Sequence, residues 1–155
     1  VRQGHAVTLF ASGDSVTRAN LVSGCNRSLR LDETCTDPNV HHIRQLETVW
    51  SMSAEFDIIH NHMDYLPFPV LRRLHTPSVT TLHGRLDLPD LVPLYKEYDD
   101  IALVSISDSQ RKPLGAVNWQ ATVYHGLPED LYQWKAKTLR TSDGYTSEHS
   151  SIFSR

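Results

Sequence analysis

Cysteine is scarce: Cys25 and Cys35 are the only two among 155 residues. Two thiols cannot frame a small secreted fold, so a reduced, cytoplasmic setting is the expectation. Long apolar runs are missing as well, which leaves no membrane span and no signal-peptide core. Positive charge is not in excess. Lys plus Arg is 15 against 18 Asp plus Glu, a formal net charge of −3, so the chain has no electrostatic footprint for nucleic acid. No Gly-x-Gly-x-x-Gly occurs, which argues against a nicotinamide-dependent enzyme. What remains, 39% hydrophobic and 21% charged, is a globular composition with room for one domain and not two.

The pattern along the chain is of strands alternating with helices. Val1-Arg2-Gln3-Gly4-His5 reads as the end of a helix, with Gly4 supplying a left-handed turn. Ala6–Ala11 is a short buried strand closed by a polar loop. Residues 16–37 carry little signal beyond a short strand expected at Ser28–Leu31. Asp37-Pro38 offers an N-cap with proline at the first helical position, and Val40, Ile43, Leu46, Val49 and Trp50 then recur at helical spacing to about Ala54. Further strands are expected at Phe56–His60, Ser78–His83, Ile101–Ile106 and Ala121–His125. Helices between them start near Phe68, Asp90 and Ser107. Near-continuous apolar strands alternating with helices predict a mostly parallel sheet with helices on both faces.

Ligands of such sheets bind beyond the carboxyl ends of the strands. His60, His62, His83, Ser107, Asp108 and His125 all fall there, including four of the nine histidines, so one cleft is expected. His60 and His62, two residues apart, face one side of an extended strand. They suit contact with an acceptor hydroxyl, a plain structural role, or a metal shared with Asp64 or His83. A metal needs three or four converging ligands, and His-x-His alone is weak, so no metal site is expected. Ser107 or Asp108 can cap a helix, and that helix start can equally receive an anion or a sugar oxygen. Cys25 and Cys35 with His41 and His42 match no zinc spacing and read as free thiols. Arg85, Asp87 and Asp90 read as solvated loop charges.

The segments Arg2–Ala11, Phe56–His60, Thr81-Leu82-His83-Gly84, Val104–Arg111 and Tyr124-His125-Gly126-Leu127-Pro128 together resemble family 4 glycosyltransferases. The resemblance covers residues 1–134. It implies part of the amino-terminal, acceptor-side Rossmann-like domain of a two-domain GT-B enzyme, with the family's first strand missing. It also implies transfer of a sugar from a nucleotide-sugar donor to a hydroxyl acceptor, with retention and without a cofactor. His83 is then the catalytic-site histidine facing the transferred sugar, and Gly84 lets backbone approach the ligand. Ser107 and Arg111 match the family's Ser-x-x-x-x-Arg, a further substrate-binding pair, while His125 stands where many relatives carry Asn. Residues 135–155, with eight Ser or Thr among 21, depart from the pattern and read as a divergent, disordered tail.

By that comparison the chain is a fragment lacking the donor-binding domain and inactive alone; the alternative is a non-catalytic sugar- or partner-binding module. Loss of a strand buried between those at Ala6–Ala11 and Phe56–His60 removes about five buried side chains, ~10 kcal/mol, close to the whole stability of a domain. The purified chain is therefore expected to show no cooperative monomeric melt above about 50 °C, as differential scanning calorimetry would test.

Overall fold

Among the described residues, six strands and four helices arise where apolar runs alternate with turn residues. In order they are β1 (Thr8–Ala11), β2 (Asn20–Ser23), α1 (Pro38–Met52), β3 (Ile59–Asn61), α2 (Phe68–Leu71), β4 (Ser78–Leu82), α3 (Leu91–Glu97), β5 (Leu103–Ser105), α4 (Asp108–Arg111) and β6 (Trp119–Thr122). The computed structural model describes residue 1 and residues 3–126. Residues 1–123 form one compact unit, and of the second, 124–155, only the first three residues are described. The expected tail at 135–155 thus lies outside the described residues.

Every strand pairing is parallel. β1 pairs with β2, and β3, β4, β5 and β6 follow one another in a four-stranded ladder. Parallel neighbours need crossovers, and α2, α3 and α4 lie in the three that join the four-stranded ladder. Among the described residues β1 pairs only with β2 and β3 only with β4, so the parallel strands form two ladders. The interruption falls where the resemblance puts a further strand. Across it, the Gln45 amide of α1 donates to the Phe10 carbonyl at 3.3 Å, and Phe10 meets Phe56 edge to face at 5.9 Å.

Two local expectations need correction. Ser28–Leu31 is no strand: Leu29–Leu31 is a single 3-10 turn, and the strand of that region is β2, eight residues earlier. Only Leu21 and Val22 mark β2 in sequence; its extended form comes from pairing with β1, beginning with the Asn20 N–H donating to the Val7 carbonyl at 2.9 Å. The helix at Asp37-Pro38 forms as expected, with the Asp37 carboxylate accepting from the Asn39 N–H at 2.9 Å. Its apolar stripe is not buried, however: Val40, Ile43 and Trp50 stay exposed. Gly4 takes the left-handed conformation expected, with φ at +87°.

The core sits on one face of the four-stranded ladder. Leu82 and Leu103 point into it from β4 and β5, and Phe68, Leu71, Leu86, Leu91, Tyr95 and Ile101 close over them. Phe68 is fully buried and meets Tyr95 edge to face at 5.7 Å. Arg72, just past α2, binds Asp100 and Glu97 beyond and within α3, and its guanidinium lies 4.3 Å over the Tyr98 ring. Phe68→Ala is expected to cost about 3–5 kcal/mol. Ile43→Ala, on the exposed stripe, should stay within about 0.5 kcal/mol. Urea midpoints of the two variants check the contrast.

Candidate functional site

β3 and β4 run in register, with His60 opposite Val79 and Asn61 opposite Thr80. Alternation along each strand then puts His60, His62, Thr81 and His83 on one face and Asn61, Thr80 and Leu82 on the core face. The three histidines meet. The Nδ1 of His62 lies 2.9 Å from Nε2 of His83, and His60 Nε2 lies 2.8 Å from the Thr81 hydroxyl. The rings overlap in sequence, with centroids 4.1 Å apart for His60 and His62 and 5.2 Å for His62 and His83. All three side chains are exposed, so they form a ledge that solvent and a ligand can reach.

A 2.9 Å contact between two ring nitrogens needs one N–H and one lone pair, so His62 and His83 share a single proton across it. Desolvation holds the proton affinity of His60 below the ordinary histidine value, with the charge of His83 adding to it. His62 is lowered in the same way, first by partial desolvation against its neighbours and then by His60 and His83. At His60 and His62 the ledge thus favours the uncharged, hydrogen-bonding form of the ring.

The turns around the ledge are built by polar side chains. Asn61 is buried and makes three hydrogen bonds: its amide donates to the Thr80 hydroxyl at 3.0 Å and to the Asp64 carbonyl at 2.8 Å, and its carbonyl accepts from the Met63 N–H at 2.8 Å. These hold Asp64 in the left-handed region, φ +48°, which aspartate tolerates better than most residues. Its carboxylate then accepts from the His83 N–H at 3.1 Å. On the other side of His83, the Gln110 amide donates to the carbonyls of Leu82 and Gly84, at 3.1 and 2.8 Å.

The remaining expected residues are placed as follows. Gly84 lies next to His83, and a Cβ there would meet only the Asp64 carboxylate, at 3.4 Å, an ordinary contact. Ser107 caps α4, its hydroxyl accepting from the Gln110 N–H at 3.1 Å. Arg111 turns toward the sheet: its Nε donates to the buried Ser105 hydroxyl at 3.0 Å and its guanidinium lies 5.0 Å over Trp119. Ser105 continues to Thr122 and Thr122 to Asp108, at 3.0 and 2.7 Å. His60, His62, His83 and Gly84 are therefore together, while Ser107 and Arg111 sit at the β5 end engaged by the protein's own groups. His125 belongs to the second unit.

Arg85 is paired with Asp87 at 2.7 Å on a loop anchored by buried Leu86. Cys25 and Cys35 are free thiols. Among the described residues no three His, Cys, Asp or Glu side chains are placed to hold a metal ion, and no helix is long and apolar enough to cross a membrane. Gln110 escaped the sequence reading as a site residue, and Asp64 entered it only as a candidate metal ligand. Ser107-Asp108-Ser109-Gln110 has the spacing of a capping box, Ser-x-x-Gln, which was the available signal for Gln110.

A group whose folded-state proton affinity is depressed contributes stability above its unfolded pKa, about 6.5 for histidine, and loses it as pH falls through the folded value. His60 and His62 are therefore expected to titrate below 6.5 by NMR, and the chain to lose stability on acidification through that range. Substituting both with Gln should flatten that part of the profile.

A family model described as Glycosyltransferase Family 4 matches residues 1–140. No curated protein matches the sequence. The parallel α/β architecture and the length of that match lead to one conclusion: the chain belongs to glycosyltransferase family 4.

Proposed function

We propose that the chain forms the acceptor-side part of a retaining glycosyltransferase that takes its sugar from a nucleotide-sugar donor. The acceptor oxygen replaces the diphosphate oxygen on the anomeric carbon, and the acceptor's proton leaves with the nucleoside diphosphate or to solvent. The observation that carries this reading is the ledge at the carboxyl ends of β3 and β4, where His83 stands beside His62 and His60. Imidazoles there hydrogen-bond sugar hydroxyls, and the lowered proton affinities of His60 and His62 favour their uncharged form. In this reading His83 faces the transferred sugar, His60 and His62 flank the acceptor, and Gly84 admits the ligand to the backbone. Ser107 and Arg111 complete the rim; Arg111 contacts a ligand only by leaving Ser105 and Trp119.

The ledge orients a sugar, but transfer also requires stabilising a departing diphosphate. Near His83, Arg85 is engaged by Asp87 and Arg111 by Ser105 and Trp119, so neither cation stands ready for that charge. The 155 residues alone are therefore expected to bind sugars weakly and turn none over, the donor being held by another part of the complete enzyme.

Titration of the labelled chain with free glucose and mannose should shift the resonances of His62, His83 and Gly84. His83→Ala should weaken binding about tenfold, the size of one lost hydrogen bond. Gly84→Ala should leave the melt unchanged, since its Cβ has room beside Asp64, and still weaken binding. Sugar transfer by the purified chain would overturn its expected inactivity alone, and shifts confined to residues away from the ledge would count against the assignment.

A further inference from the structure

The hydrogen bonds around His83 are asymmetric in origin. Its own N–H is held by the Asp64 carboxylate, while the carbonyls on either side, of Leu82 and Gly84, are both held by the one Gln110 amide. Gln110 is itself locked: its side-chain carbonyl accepts from the Ile106 N–H at 2.9 Å, and its backbone N–H donates to Ser107. One side chain therefore ties the segment after β5 to the segment after β4 at three backbone points. A glutamine needed only as a helix cap would use its carbonyl alone; here the amide end is spent on the His83 turn. On the opposite side, Asp64 reaches His83 from a strained left-handed residue that the buried Asn61 holds in place.

We propose that Gln110, acting with Asp64, is a positioning residue for His83: the two side chains hold the peptide groups on both sides of the imidazole and so set its contact with His62. Neither residue touches the ligand in this arrangement; both act through the backbone that carries His83. The functional meaning rests on His83 facing the sugar, but the positioning itself is tested without any ligand.

The experiment is nitrogen-15 NMR of the histidine side chains in the 155-residue chain and four variants, each with a thermal melt. Gln110→Glu keeps the carbonyl that accepts from Ile106 and loses both donations to the His83 turn; Gln110→Met loses all three. Both are expected to average the His62 and His83 tautomers and to raise the His62 titration midpoint toward the ordinary histidine value by the part of its depression that His83 supplies. Asp64→Ala should do the same, and Asp64→Asn, which retains an acceptor oxygen, should restore the native pattern. Wild-type tautomers and His62 titration in folded Gln110→Glu and Gln110→Met would overturn the proposal, even with a lowered melting temperature. If neither Gln110 variant folds, identical histidine spectra in Asp64→Ala and Asp64→Asn would overturn it. Failure of every sugar to bind would strike the functional reading and leave these spectra as they are.

Discussion

Backbone groups just past the last ladder hydrogen bond must still find partners, and at the carboxyl ends of β3 and β4 they find side chains. Asn61 takes the Met63 N–H and the Asp64 carbonyl, Asp64 takes the His83 N–H, and Gln110 takes the carbonyls of Leu82 and Gly84. These bonds are few, but each satisfies a main-chain group that the parallel ladder has stopped serving. They convert a rim of loose strand ends into a fixed rim. The histidines depend on it, since their mutual distances follow from where β3 and β4 end and how the turns leave them.

The same geometry explains the electrostatic character of the ledge. Three basic side chains crowded on one face would repel if all were protonated. Desolvation and mutual charge instead hold the proton affinities of His60 and His62 down. A nitrogen-to-nitrogen contact between His62 and His83 survives only while one of the two nitrogens keeps its lone pair. A retained lone pair at that contact is thus a condition of the arrangement.

Much of the fold was legible in the sequence because local chemistry and tertiary environment agree. Asp37-Pro38 marks a helix start in any context, and apolar runs such as Ile101–Val104 suit a sheet packed on its faces. Legibility failed where pairing outweighs composition: β2 has only two apolar residues and is a strand because β1 offers it hydrogen bonds. The stripe on α1 was legible as a helix face, but burial is decided by what lies opposite, and Ile43 remains exposed. In the site, His60, His62 and His83 could be named from their position at strand ends. Asp64 and Gln110 could not be ranked, because an aspartate and a glutamine near a turn acquire a role only through partners 19 and 26 to 28 residues away.

The amino-acid sequence by itself determined the alternation of strands and helices, the family, and the clustering of histidines at carboxyl strand ends. These depend on residue type and spacing within a few turns of chain. Only the tertiary structure decided the register that puts His60, His62 and His83 on one face, the split into two ladders, and the fastening of the His83 turn. Each of those depends on hydrogen bonds between segments far apart in sequence, and a slip of one residue in the pairing of β3 with β4 would turn the histidines to the opposite face.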